Sequence, residues 1–569
     1  MTAQFTSTAN PTVSSSSEIP RVLPPIAPYR TIRPLGAYSI EGLTVFENTL
    51  LGLDSVRGFV LRIDPATDNA TVLNYKQTES FEGASGLALW GDMLWFGRDE
   101  TVYCCRLGDF VAQPFLTMPY EVDGVAAGES TLYVASQKEG YISIFDRKTR
   151  RLITRLPMPG VGREYLALRG EELWVSDRQE QTVYCLDRAT GETNFSVMTP
   201  FEEPTGITFF RDPKSGQEAL YVAYSNEDAY VRDDPRNPDL PYELGFRDRT
   251  FIHPLYYSYN AAERYTLSNG YLVEMTYMEE FLPLDEVALE NLEWRIAMPT
   301  DTHRQKVLRV EPVGLPFIEE VQNGQRVALF KFDNYNGNER HLFGWKALLE
   351  VRGIRYQFTP DDVDRVPPLP PEYQTRYLVD DDELSMDTPT IRDAAREAIG
   401  TETNLLRKML KIRNYVYDHL SYSLTTTIAT PDVVLQRGVG SCGEYVGLLL
   451  ALARLNGIAC RTVGRYKCPK KPDHHHLPLE PDFNHVWLEF YIPGFGWVPM
   501  ESNPDDVSET GPYPLRFFMG LPWYHAEIGK GISFAKIATN STEMEVSIGE
   551  LAINHVRFTI LGELPPPPA

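Results

Sequence analysis

Cysteine is scarce in this sequence, with six among 569 residues, at positions 104, 105, 185, 442, 460 and 468 and no CxxC pair. That is too few for a fold built on disulfides, so the thiols are expected to be mostly free. Positive charge is in deficit: 54 Lys+Arg stand against 78 Asp+Glu, a net charge of −24. A nonspecific grip on nucleic-acid phosphates or an anionic membrane would work against such a field. No stretch approaches about 18 uninterrupted apolar residues, which excludes a simple membrane-spanning helix. The N-terminus shows no basic segment leading into an apolar one, so no secretory signal is legible. The expectation is a soluble, cytoplasmic protein with neither nucleic acid nor membrane as a partner.

What is present suits ordinary packed cores, at 43% apolar and 12% aromatic residues. At about 100–200 residues per domain, the length predicts three or four domains. Residues 1–29 are rich in Ser, Thr and Pro and read as a disordered arm. An internal repeat follows. Leu50, Leu132 and Leu173 each open an alternating apolar run 14 residues before an Asp-led turn, at Asp64, Asp146 and Asp187. The spacings of 82 and 41 are two periods and one. Leu94-Trp95-Phe96 and Leu220-Tyr221-Val222 supply two further copies. A second marker precedes each copy, at Gly42, Gly86, Gly124, Tyr165 and Gly206.

Units of about 41 residues with three or four short strands each are the signature of a β-propeller blade, here five clear copies within residues 30–240. The blade text resembles lactonase-like and NHL-like propellers. A ring of five, or a sixth blade assembled from residues 30–40 and the stretch beyond Asn226, both fit the pattern. A binding or spacing role is the default for such a ring, which makes it a candidate surface for a protein partner.

Residues 231–250, rich in Pro and Asp, read as a linker. Several short alternating runs then follow, with Asn323-Gly324 and Asn336-Gly337 among their turns, and predict an antiparallel β-sandwich over 250–362. Beyond a second Pro- and acid-rich stretch, Leu405, Met409, Ile412, Val416 and Leu420 fall on one helix face. The third unit, 387–540, is therefore α+β, with strands and a Pro tail over 541–569.

That unit carries the chemistry. Gly438-Val439-Gly440-Ser441-Cys442-Gly443-Glu444-Tyr445 leads into an apolar helix stopped at Asn456-Gly457, placing Cys442 at the first turn. Unpaired N–H groups and the helix dipole stabilise a thiolate there. The candidate base is His485, which opens the alternating run to Tyr491, and Glu501 on the returning strand is the candidate acid that orients it. Asn503 could take that orienting role, and Tyr422 could donate to an oxyanion beside the Cys442 N–H. His474-His475-His476 with Cys468 and Asp473 matches no zinc spacing and reads as a loop bordering the cleft. No cofactor is implied.

From about Asp387 to Ala535 the sequence resembles the transglutaminase-like core domain. The Gly-Ser-Cys442-Gly-Glu-Tyr helix entry, the His485-x-Trp487-x-Glu489 strand and the Pro-Gly-Phe-Gly-Trp497-Val-Pro turn occur in the right order and spacing. The preceding sandwich is similar to the β domain that often accompanies this core in bacterial members. The resemblance implies a papain-like fold and amide or acyl chemistry, with Cys442 as nucleophile and His485 as base. Protein or peptide substrates follow, with hydrolysis as a protease or deamidase ahead of amine transfer.

One residue departs from the family: Glu501 stands where Asp is usual. An even-length turn after His485 would also put Glu501 on the wrong face, which a bulge or odd loop would restore. The rival reading is a propeller-based binding scaffold whose core is catalytically silent. Charge divides unevenly. Residues 1–240 carry 22 basic and 33 acidic groups, 241–390 carry 15 and 26, and 391–569 carry 17 and 19. Arg461, Arg465, Lys467, Lys470 and Lys471 cluster after the Cys442 helix in the nearly neutral last third.

Overall fold

A computed structural model describes residues 31–212, 216–225, 230–232, 243–245, 250–282, 289–335, 341–381, 383–424, 428–539 and 548–568. The expected arm at 1–29 lies outside the described residues. Strands dominate, gathered into several small antiparallel sheets, and the main helices fall between Pro389 and Leu455.

Each repeat copy becomes one sheet. Four sheets of four strands span 40–72, 85–117, 124–157 and 164–198, and a fifth has strands Pro204–Arg211, Glu218–Tyr224 and Phe251–Leu255. The repeated leucines Leu50, Leu94, Leu132, Leu173 and Leu220 all lie on second strands and are buried. The Asp-led turns close because the carboxylate takes the place of a backbone acceptor. Asp146 Oδ1 accepts from Thr149 N at 2.6 Å, and Asp187 Oδ1 from Thr190 N at 2.8 Å.

The glycine markers have a different cause. The opening strand of each sheet lies against that of the next, and the fifth lies against the first. A Cβ on Gly42 would stand 2.7 Å from the Gly86 carbonyl carbon, one on Gly86 2.7 Å from Val125 N, and one on Gly124 2.3 Å from Glu164 O. The markers are thus points of backbone-to-backbone approach that a side chain would block. Ile32 bridges Ile252, so residues from before the first sheet finish the fifth. The stretch read as a linker contains a short hairpin, Tyr230–Arg232 with Glu243–Gly245.

In the middle of the chain, two antiparallel sheets share one core that includes Trp294, Trp345, Phe330 and Phe343. The long strands Tyr265–Phe281 and Leu342–Tyr356 pair with each other, and the chain's last strand, Ala552–Glu563, pairs along the first of them. Ala535–Ala538 joins the second sheet and Gly520–Leu521 the first. The middle and C-terminal parts of the chain are therefore interleaved.

The last unit packs the helices Pro389–Ile399, Leu405–His419 and Cys442–Leu455 against the sheet of Cys460–Arg465, His485–Ile492 and Gly496–Met500. The Leu405–His419 helix buries Met409, Ile412 and Val416 of the expected face, with Leu420 buried just beyond it and Leu406 in place of the half-buried Leu405. The Cys442–Leu455 helix is buried nearly all round, including Leu448, Ala451 and Leu452. It ends where Gly457 turns to φ +76° and Ile458 N returns to Ala453 O at 3.0 Å. Among the described residues no helix is long and apolar enough to cross a membrane.

Candidate active site

Cys442 opens its helix because the segment before it cannot continue one. Gly438 takes a left-handed φ of 70° and ends the Pro431–Arg437 helix. Val439–Gly440 then pairs with Ser421–Tyr422 as a short parallel bridge. Ser441 and Glu444 form a capping box, with Ser441 N donating to Glu444 Oε2 at 2.8 Å. Glu444 Oε1 also accepts from Ala429 N at 2.9 Å and Arg437 Nη2 at 2.8 Å, so the helix start is fixed from both sides. The Cys442 thiol sits in the first turn, 8% exposed, and donates a long contact of 3.9 Å to Asn484 O.

His485 arrives on the middle strand of the sheet, paired with Arg465 on one side. On the other side Leu488 pairs with Met500 and Ile492 with Gly496, so the turn is the three residues Pro493, Gly494 and Phe495. Its length is odd, and residue 501 falls opposite 487. Glu501 therefore stands on the face of His485, one diagonal step away. His485 Nε2 and Glu501 Oε2 are 2.8 Å apart, and both residues are buried, at 3% and 1% exposure. The His485 Nδ1 meets no hydrogen-bonding nitrogen or oxygen among the described residues, and the imidazole interacts with the thiol.

The carboxylate of Glu501 is held by more than His485. Its Oε1 accepts from Lys467 Nζ at 2.9 Å and from His525 Nε2, and its Oε2 also accepts from Ser502 N at 3.1 Å. Lys467 and His525 come together because residues 467 and 525 are partners in an antiparallel bridge, with Cys468 N donating to Tyr524 O at 2.8 Å. Facing residues of such a bridge project to the same side. Asn503 does not take the orienting position. Its Oδ1 accepts from Ser502 Oγ at 2.8 Å.

Titration follows these contacts. Burial pushes the Cys442 thiol up, but the His485 imidazole and the Val486 N–H outweigh it, and the thiol lies below its usual value. Burial pulls His485 down, yet the Glu501 carboxylate and the Cys442 thiol together outweigh it and the ring lies above its usual value despite Lys467. Burial pushes Glu501 up, and His485, Lys467 and His525 together bring it well below the carboxylate range. His525 is itself held to about 3 by burial, so it stays neutral. A lowered thiol beside a raised imidazole favours a thiolate and imidazolium pair.

Other candidates fall elsewhere. Tyr422 lies close enough to the thiol for the two to interact, with its ring 6.4 Å from that of Tyr445. Cys460 is buried and pushed up to about 12, and burial also raises Cys468. His476 N donates to Ile560 O at 2.9 Å, tying the histidine loop to the last strand. The basic cluster is largely spent in pairs. Arg461 bonds Glu489 at 2.6 and 2.8 Å, Lys467 bonds Glu501, and Lys470 bonds Glu202 at 2.5 Å.

A cleft of about 820 Å³ runs from His485 to a corner of the N-terminal ring, between Phe201 and Phe251 on one wall and the 467–483 segment on the other. Trp523 Nε1 donates to Pro200 O at 3.0 Å and Leu515 N to Glu180 Oε2 at 2.7 Å, which fixes the ring against this unit.

The motifs named Cys442, His485 and Glu501 as candidates, and the structure brings the three together. Sequence reasoning missed His525, which sits in an aperiodic loop, and it took Lys467 for a cleft charge. No local signal marks either as a partner of Glu501.

Residues 392–502 match the family model of the transglutaminase-like superfamily. This segment contains all three site residues. Among curated proteins, an uncharacterized protein of Haemophilus influenzae is 24% identical over 229 residues, covering 33% of this chain and 62% of its own length. An uncharacterized protein of Mycobacterium tuberculosis is 26% identical over 159 residues, covering 26% of this chain and 49% of its own. The chain thus spans about half to three fifths of the length of these relatives. Among solved structures, a candidate cysteine protease from Cytophaga hutchinsonii aligns at 17% identity and TM-score 0.39, over 52% of this chain and 93% of its own. Myxococcus xanthus glutaminyl cyclase aligns at 13% identity and TM-score 0.27, over 34% and 88%.

Proposed function

We propose that the chain is a cysteine-dependent acyl-transfer enzyme of the transglutaminase-like type that opens amide or peptide bonds through a thioester, with water as the preferred acceptor. The observation that carries this reading is the relay itself. Glu501 holds His485 Nε2 at 2.8 Å, leaving Nδ1 for the thiol at the first turn of its helix.

The steps follow from the geometry. The Cys442 thiolate attacks the carbonyl carbon, a C–S bond forms, and the electron pair of the C=O bond moves to oxygen. The N–H groups of Cys442 and Gly443 at the helix start are suited to receive that oxyanion, and Tyr422 is a further candidate donor. The C–N bond then breaks, and the His485 imidazolium gives its proton to the departing amine. In the second half, His485 takes a proton from water as the oxygen attacks the thioester, and the acid product leaves as the thiolate is restored. Glu501 keeps the ring oriented and stabilises its charged form in both halves.

The rest of the chain serves substrate presentation in this reading. The ring is a five-bladed propeller over 30–240, with the 251–255 strand completing its last blade. The paired sheets are a sandwich over 250–362, and 387–540 is the catalytic core. The cleft between Phe201 and His485 supports a protein or peptide substrate, and the ring offers a surface to a protein partner. Free cysteines, six of six, suit a cytoplasmic setting.

Alkylation of Cys442 by iodoacetamide as a function of pH tests the relay. A thiolate titrating well below the free value of about 8.5 is expected, and His485→Ala should remove that low-pH reactivity. An ordinary titration, unchanged in His485→Ala, would leave the silent core and the binding scaffold as the reading.

A further inference from the structure

Glu501 looks at first like a defect, a longer acid where the relay wants a shorter one. The structure gives the extra length a use. An Asp at this position would start from the same backbone, fixed by Glu501 N donating to Phe517 O at 3.1 Å, and end one methylene sooner. The Glu carboxylate reaches past the His485 ring to a second pair of donors, so that one oxygen serves His485 and Ser502 N while the other serves Lys467 and His525. We infer that Lys467 and His525 are positioning residues, a clamp delivered by one antiparallel bridge that aims the longer carboxylate of Glu501 at His485. This inference rests on the Cys442, His485 and Glu501 reading and adds to it which groups make Glu competent there.

Three features support the clamp. The donors are directly opposed across the 467/525 bridge, so neither can move without the other strand. Arg304 fixes the second strand from behind, its Nη1 donating to His525 O at 2.7 Å and its Nη2 to Pro522 O at 2.6 Å. Charge is matched as well. Lys467 brings a cation to the carboxylate besides the imidazolium, whereas His525 stays neutral and contributes a hydrogen bond without adding charge beside His485. Tyr417, Tyr524 and Cys442 also feel Glu501; burial holds both tyrosines protonated far above neutrality, and at Cys442 the carboxylate opposes the thiolate that His485 favours.

The test is the pH profile of Cys442 alkylation in Glu501→Asp, Lys467→Met and Lys467→Arg, with wild type and His485→Ala alongside. A depressed wild-type titration that His485→Ala abolishes establishes the relay independently of the clamp, and its absence overturns the relay itself. Given the relay, Glu501→Asp should alkylate about tenfold more slowly at neutral pH, since displacing a relay group by about 1 Å can cost up to about 100-fold. Equal or faster alkylation in Glu501→Asp overturns the clamp, because the family's usual acid would then suffice without it.

Lys467→Met supplies a direction. Lys467 opposes protonation of His485, so if it acted by charge alone its loss would raise the alkaline limb. If it aims Glu501, whose pull on His485 is larger, its loss lowers that limb. A lowered limb, with Lys467→Arg restoring the wild-type profile, is expected. A raised or unmoved limb overturns the inference. Lys467 lies partly exposed at the cleft wall, and Met keeps its stem, so this variant reads the clamp without emptying the core.

Discussion

Two regions of this molecule bury carboxylates equally deeply and treat them in opposite ways. At the fourth sheet of the ring, Glu164 and Asp177 face each other across paired strands and Glu180 follows just after, none more than 1% exposed. Burial and their mutual repulsion raise all three, Asp177 to about 6 and Glu180 to about 8. In the core, Glu501 is just as buried and lies far below the usual range, because two histidines and a lysine converge on it. Depth alone therefore does not set the protonation state. A buried acid beside other acids is pushed toward its protonated form even where backbone N–H groups oppose the shift, and one clamped by cations keeps its charge. In the ring the acids are pushed toward their protonated forms, Glu180 further than Asp177, while in the core Glu501 is held ionised beside His485.

The comparison can be broken most forcefully at Glu501. Glu501→Ala leaves the buried His485 and the partly exposed Lys467 without their anion, and a loss of about 3 kcal/mol of stability is expected, read by denaturant unfolding alongside loss of low-pH alkylation. A loss below about 1 kcal/mol would mean that the core pays little for its charges and that the contrast with the ring is false.

Glu180 sharpens the other side. Its folded value of about 8 lies above the ordinary 4.5, so the folded state holds the extra proton between these limits. Stability from this group is full below pH 4.5 and is lost as pH rises toward 8. Glu180→Gln keeps an acceptor for Leu515 N and removes the titration. It should be more stable than wild type by about 1 kcal/mol or more near pH 8, with the two converging at acid pH. Glu501 contributes with the opposite sign, its stability present above pH 4.5 and lost on acidification. A Glu180→Gln advantage that grows toward low pH would reverse the assignment.

The smallest effect is expected where the regions meet in solvent. Lys470 and Glu202 pair at 2.5 Å across the cleft, with the lysine 49% exposed. Lys470→Ala should change stability by less than about 1 kcal/mol, and less again at high salt. A larger loss would show that this pair, rather than Trp523 and Leu515, fastens the ring to the core.

How much was legible beforehand varies with the range of the interaction. The repeat could be read because each of the first four sheets is made within about 41 consecutive residues, so the leucines and glycines recur at fixed offsets. Cys442 and His485 could be read because a helix start and a strand start leave local marks. The face of Glu501 could not, since it depends on whether the turn holds two residues or three. Lys467 and His525 were illegible as partners because 58 residues separate them and only a bridge in the folded chain sets them opposite. The interleaving of the last strand with Tyr265–Phe281 was equally hidden, being a pairing between segments almost 300 residues apart.

By itself, then, the sequence determined the repeat period, the β-rich composition of the first two thirds, and the places of Cys442 at a helix start and His485 at a strand start, since periodicity and capping are properties of neighbouring residues. Tertiary structure alone decided that a three-residue turn brings Glu501 to the face of His485, that a distant bridge sets Lys467 and His525 against it, and that acids of equal burial are raised in the ring and lowered in the core. Those outcomes depend on which groups meet after folding, and electrostatics in a low-dielectric interior is set by that meeting rather than by residue identity.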